Sequence, residues 1–186
     1  IKDTVIETHN TTPDAFTLNS LFAEMVEKGC EYAVMEVSSH ALDQKRICDV
    51  TFEEALFTNL TQDHLDYHKT MENYLLAKKK LFKMCKKAIL NSDDAYYKQM
   101  VSGLDRPVIT YSSSNDSDYS AKGINYHPAG VEYELVTKGL INHISVNTGG
   151  RFTVYNSLCA IVAAIELGIP VKTAADAISE LHGVKG

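Results

Sequence analysis

The sequence predicts an α/β fold: a mostly parallel, doubly wound sheet flanked by helices, with a small antiparallel β appendage near the C-terminal end. Two observations carry this. From residue 5 to 111, short apolar runs alternate with stretches of helical spacing, the pattern of βα units. From 119 to 147, three β-alternating runs follow one another with Gly-bearing turns between them, the pattern of hairpins.

The elements are expected in the following order. Residues 1–6 read as a strand under way, with 5–8 extended. Asn10-Thr11-Thr12-Pro13-Asp14 is a polar turn in which Thr12 or Asp14 caps the next helix and Pro13 lies in its first turn. Residues 15–28 place Phe16, Leu18, Leu21, Phe22, Met25 and Val26 at helical spacing, and Gly29 ends that helix. Residues 32–37 form an apolar run fit for a buried parallel strand, and Ser38 or Ser39 caps a short helix. Strands at 54–58, 87–91 and 107–111 alternate with helices at 72–85 and 93–101. A Ser/Asn/Asp linker at 112–117 precedes β runs at 119–126, 130–137 and 140–147. Helices at 155–167 and 172–181 flank the turn Gly168-Ile169-Pro170, and 183–186 reads as a loop leading onward. Residues 1–186 are expected to form one truncated domain.

Composition narrows the function classes. Apolar content of 45% and charged content of 23% suit a globular protein. A net charge of −6 argues against a nucleic-acid binder. No apolar run approaches membrane-span length, and the N-terminus does not read as a signal peptide. Cys30, Cys48, Cys85 and Cys159 form no C-x-x-C pair, so they read as reduced thiols of a cytosolic protein with no zinc site.

Several residues can carry chemistry. Glu36 stands at a strand end, where open α/β sheets place ligands. Its carboxylate either bonds backbone N–H groups or holds a metal. His64 follows Asp63 at a second strand end, and Asp63, His64, Asp66 and His68 together also suit a metal-dependent hydrolase. Lys78 lies in a basic helix with Lys79 and Lys80 as neighbours in register. Asn10, Thr11, Thr12, Ser38 and Gln44 offer uncharged hydrogen-bonding groups, and Arg46 offers a fork that pairs with a carboxylate.

Met35-Glu36-Val37-Ser38-Ser39-His40-Ala41-Leu42-Asp43-Gln44-Lys45-Arg46 and Asp63-His64-Leu65-Asp66-Tyr67-His68 resemble the Mur ligases of bacterial peptidoglycan synthesis. Within that family the likeness is to the enzymes that extend UDP-N-acetylmuramoyl-L-Ala-D-Glu by a diamino acid, meso-diaminopimelate or L-lysine. It runs from about Thr8 to the last residue and covers only the central, ATP-binding part of such an enzyme. The resemblance implies a cytoplasmic ATP-dependent ligase working through an acyl phosphate. It implies Glu36, His64 and a carbamylated Lys78 as Mg²⁺ ligands. Asn10, Thr11, Thr12, Ser38, Gln44 and Arg46 would bind the acceptor, and Asn156 the ATP base. Gly150-Arg151-Phe152-Thr153-Val154-Tyr155-Asn156 departs from the family's Gly-x-Phe-Asn-x-x-Asn segment at Thr153, which puts a role for that side chain in question. No G-x-x-x-x-G-K-[ST] loop occurs. The UDP-binding, phosphate-loop and C-terminal portions are therefore expected to lie outside this chain, leaving it inactive alone. Folylpolyglutamate or cyanophycin synthetases share the implied core and stand as alternatives, as does the hydrolase.

Overall fold

The computed structural model describes residues 1–8 and 10–181. The loop expected at 183–186 lies outside them. The chain divides into two compact units: Ile1–Phe52 with Gln62–Cys85, and Glu53–Thr61 with the chain from Lys86 onward.

In the first unit, α1 (Ala15–Glu27) begins at Asp14, whose carboxylate accepts from the Phe16 and Thr17 amides at 3.0 Å each. Gly29 follows the helix at φ +66°, a left-handed position that suits glycine. Ser38 caps α2 (Ser39–Asp43), its hydroxyl accepting from the Ala41 amide at 3.1 Å. α3 (Leu65–His68) is a single turn. Thr70 caps α4 (Met71–Lys79), which tightens into a 3₁₀ turn over Lys80–Lys83. Leu18, Ala41, Leu42 and Ile47 form the unit's small core, with Phe22, Met35 and Val37 packed on it.

Two expected strands are absent. Residues 1–4 form a turn closed by the Thr4 amide on the Ile1 carbonyl at 3.1 Å. Residues 32–37 follow an irregular path, with Val34 94% and Tyr32 56% exposed. An apolar run becomes a strand only when a neighbour accepts its backbone hydrogen bonds, and none of the described ladders includes it.

The second unit carries the sheet. β1 (Phe52–Phe57) enters it from the first unit and is followed by β2 (Cys85–Asn91), α5 (Tyr97–Val101), β3 (Val108–Ser112), β4 (Tyr119–His127), β5 (Gly130–Thr137) and β6 (Leu140–Val146). The six strands lie in chain order. β2–β3 and β3–β4 are parallel, while β4–β5 and β5–β6 are antiparallel. The parallel sheet with an antiparallel appendage is thus the predicted architecture. α5 starts later than expected because Asp94 accepts from the Leu60 and Tyr96 amides, local bonds that compete with a helical turn. α6 (Arg151–Glu166) and α7 (Val171–Ser179) complete the unit. Tyr111, Tyr133, Leu135, Ile144, Leu158 and Ile161 form its core.

Gly130 permits the close approach of β5 and β6: a Cβ there would lie 2.0 Å from the Val146 carbonyl oxygen. Gly130→Ala is expected to lower stability by about 1–3 kcal/mol, the usual cost of overpacking, measured by urea denaturation. A wild-type midpoint would refute this.

Glu54 supplies a second test. Its side chain is 6% exposed, and the Lys87 ammonium stands 3.8 Å away. Neither carboxyl oxygen has a hydrogen-bond partner. Burial pushes Glu54 up to about 7 from 4.5, against the pull of Lys87 and aided by Glu166 and Glu53. The folded value lies above the unfolded one, so the stabilisation from proton uptake is full below 4.5 and is lost as pH rises through about 7. The unfolding free energy from urea denaturation should therefore be lower at about pH 8 than at about pH 5, by roughly 2–3 kcal/mol at 1.36 kcal/mol per unit. Glu54→Gln should remove most of the difference, and a variant with the same pH slope as wild type would refute the assignment.

Candidate functional site

The first unit gathers most of the residues singled out in the sequence around one buried hydroxyl. Thr12, 1% exposed, donates through Oγ1 to the Glu36 carbonyl at 3.0 Å and accepts there from the Ser38 amide at 3.1 Å. Its own carbonyl accepts from Arg46 Nη1 at 3.3 Å, and Arg46 Nη2 donates to Gln44 Oε1. The turn at 10–14, the segment 36–38 and the arm after α2 are thereby joined. Asn10, Thr11 and Gln44 stay exposed beside them, and Arg46 is half-buried. Both hydrogen bonds of the Thr12 hydroxyl lie inside the fold, so its side chain braces these segments.

Glu36 is exposed, so its carboxylate stays hydrated and carries no large desolvation cost. His64 adopts a left-handed backbone (φ 55°, ψ 25°) before α3, rare for a side-chain-bearing residue. The Asp63 carboxylate accepts from its amide at 2.8 Å and stands 3.4 Å from its Nε2.

The three consecutive lysines separate clearly. Lys80 is exposed and paired with Asp43 at 2.6 Å. Lys79 is lowered by burial and by the Lys83 cation. Lys78 is half-buried; burial holds its ammonium below the usual lysine range, while the Glu36 and Asp63 carboxylates pull the other way. Lys78 is thus the lysine that both carboxylates act upon. Among the described residues no three His, Cys, Asp or Glu side chains converge on a metal position. Glu36 and Asp63 both act on Lys78, and Asp63 stands beside His64, so a cation set here requires that lysine to become an oxygen donor.

The same observation weighs against the hydrolase alternative. His68 is buried, and its Nε2 is hydrogen-bonded to Ser39 Oγ at 2.9 Å.

An aromatic cluster went unread in the sequence. The His40 ring lies 4.9 Å from His64, 4.2 Å from Tyr67 and 5.4 Å from His68, centroid to centroid. His64 with His68, and Tyr74 with Lys78, sit at the i,i+4 spacing that could have revealed part of it. A depression of about 390 Å³ beside it is lined by Asp43, Tyr67, His68, Asn73, Ala77 and Lys80 among others, and by none of the residues expected to bind the acceptor, the ATP base or Mg²⁺.

In the second unit, Asn156 lies exposed on the first turns of α6. The preceding residue, Tyr155, donates to Asp93 at 3.1 Å. Burial pushes Asp93 up, but hydrogen bonds from Ser112, Ser113, Tyr155 and Asn115 outweigh it and hold the carboxyl below its usual range. Thr153 Oγ1 bonds back to the Gly149 carbonyl at 2.9 Å, so its hydroxyl is spent on the helix start.

Comparison with known proteins identifies the family. Residues 1–164 match the Mur ligase middle domain. A UDP-N-acetylmuramoyl-L-alanyl-D-glutamate--2,6-diaminopimelate ligase of Clostridium acetobutylicum is 41% identical over 186 residues, covering 100% of this chain and 39% of the relative. The chain thus spans about two fifths of that protein's length. A solved structure of a ligase of the same name superposes with TM-score 0.88 at 32% identity, covering 95% of this chain and 38% of that one. A MurF ligase from Thermotoga maritima in complex with ADP shares the fold, with TM-score 0.67 at 18% identity over 84% of this chain and 38% of its own. With the family's middle domain matched over most of its length, this chain belongs to the Mur ligase family.

Proposed function

We propose that this chain is the central domain of a longer, cytoplasmic bacterial ligase. That enzyme joins 2,6-diaminopimelate to UDP-N-acetylmuramoyl-L-Ala-D-Glu at the expense of ATP. The observation that carries the reading is the joining, through Thr12, of the segments bearing Asn10, Thr11, Ser38, Gln44 and Arg46. Relatives similar over the whole chain bear the name of that reaction.

The acceptor's D-glutamyl carboxylate attacks the γ-phosphorus of ATP, and ADP leaves. The resulting acyl phosphate is attacked by the diamino acid's amine, which loses a proton as inorganic phosphate departs. The work of this chain is positioning. Asn10, Thr11, Thr12, Ser38 and Gln44 hold the acceptor, with Thr12 acting through the backbone it braces. Arg46 supplies the cationic fork that pairs with a carboxylate. Asn156 hydrogen-bonds the ATP base. Glu36, His64 and carbamylated Lys78 would hold Mg²⁺, which neutralises phosphate charge during transfer. The half-burial of Lys78 supports this, because carbamylation needs an uncharged amine.

The test is a titration of the ¹⁵N-labelled chain with UDP-N-acetylmuramoyl-L-Ala-D-Glu, followed by amide shifts. Perturbations should cluster at 10–12 and 38–46. A spectrum indifferent to this ligand but responsive to a folate would favour the folylpolyglutamate synthetase alternative. In the complete ligase, Arg46→Ala should raise KM for the acceptor by about ten- to a hundredfold, the worth of a hydrogen bond to a charged group. An unchanged KM would remove Arg46 from the acceptor site.

A further inference from the structure

Tyr74 touches both side chains assigned to the cation on the α3–α4 side. One helical turn along α4, Lys78 Nζ lies 5.2 Å from the Tyr74 ring centroid. The His64 imidazole meets the same ring at 5.9 Å with an interplanar angle of 88°. Tyr74 is 6% exposed, so its ring is a fixed wall. The His68 imidazole stacks on it at 5.2 Å and 21°. His68 is secured in turn by the Ser39 hydroxyl at 2.9 Å and by Asn73 Nδ2 on its carbonyl at 3.0 Å. A chain of contacts therefore runs from α2 through His68 and Tyr74 to His64 and Lys78, all within one unit.

We propose that Tyr74 is a positioning residue: its ring, locked by the His68–Ser39 pair, sets the separation and aim of Lys78 and His64 for a divalent cation. This rests on the reading of those two residues as cation ligands. A lysine head on four flexible methylenes has many rotamers, and a wall beside it removes most of them before the cation arrives. His64 leaves a strained left-handed turn with a side chain 43% exposed, and the ring edge limits its swing. Groups that orient ligands without touching the metal typically contribute ten- to a hundredfold in affinity.

The test uses the complete ligase, with Mn²⁺ as a spectroscopic stand-in for Mg²⁺ and binding read by paramagnetic resonance. [¹³C]Bicarbonate reports the Lys78 carbamate by NMR. Tyr74→Phe keeps the ring and should match wild type in both readouts. Tyr74→Leu should bind Mn²⁺ about tenfold more weakly and show a reduced carbamate signal, both read well below its own thermal midpoint. Wild-type Mn²⁺ affinity in Tyr74→Leu would overturn the proposal. If Tyr74→Leu fails to fold, His68→Leu, which keeps the ring but removes its lock, carries the test: weakened Mn²⁺ binding supports the proposal and wild-type affinity overturns it. Lys78→Ala separates the two levels. Unchanged Mn²⁺ binding in that variant would sink the ligand reading itself, and the proposal with it. Weakened binding there beside wild-type binding in Tyr74→Leu would leave the ligands standing and remove Tyr74 alone.

Discussion

The buried hydroxyl of Thr12 is the contact on which the first unit's site depends. A hydroxyl can donate and accept at once, and Thr12 does both, to the Glu36 carbonyl and from the Ser38 amide. Valine would fill the same space but leave two backbone groups without partners, each costing about 1–3 kcal/mol when buried. With its amide secured in this way, Ser38 turns its side chain to cap α2. α2 then lays Ala41 and Leu42 against Leu18 and Ile47. The Thr12 carbonyl meanwhile holds Arg46 half-buried rather than loose on the surface. Glu36 is fixed through its backbone alone, and its carboxylate remains exposed.

Elements were legible in the sequence where one local signal decided them. α1 could be read because its apolar spacing, its Asp14 cap and Gly29 all agree. The hairpins from Tyr119 to Val146 were legible for the same reason, since alternation and Gly-bearing turns coincide. Residues 32–37 misled because an apolar run states a preference for burial, while a strand also needs a partner edge. The turn at 93–96 misled because Asp and Asn side chains satisfied backbone amides that a helix would have used. In the site, residue identities could be read and their roles in the fold could not. Nothing in Asn10-Thr11-Thr12 distinguishes the third residue from the second, yet Thr12 is buried and Thr11 exposed. The aromatic cluster escaped notice because His40 joins it from a distant part of the chain.

The second unit reaches its candidate site by a different route. Asp93 gathers the Ser112 and Ser113 hydroxyls, the Asn115 amide group and the Tyr155 phenol around one carboxylate. This converts a serine-rich linker into a fixed turn beside the start of α6. Gly150 at φ 111° and the Thr153 hydroxyl on the Gly149 carbonyl set the helix start itself. Asn156 is exposed one turn later on a backbone held from both sides. The departure from the family pattern at Thr153 thus has a structural use. A hydroxyl can close the helix start without reaching a ligand.

The choice among the lysines turns on burial and sign of charge together. Lys80 is already neutralised by Asp43, and Lys79 has the Lys83 cation as its electrostatic neighbour. Lys78 alone combines burial, which favours the free amine, with the Glu36 and Asp63 carboxylates. Those carboxylates carry a further consequence. Carbamylation would turn a cation they attract into an anion they repel, so the modified form is disfavoured while nothing balances three negative groups. A divalent cation reverses that sign, since each added anion then strengthens its binding. Carbamate and cation are therefore expected to stabilise one another.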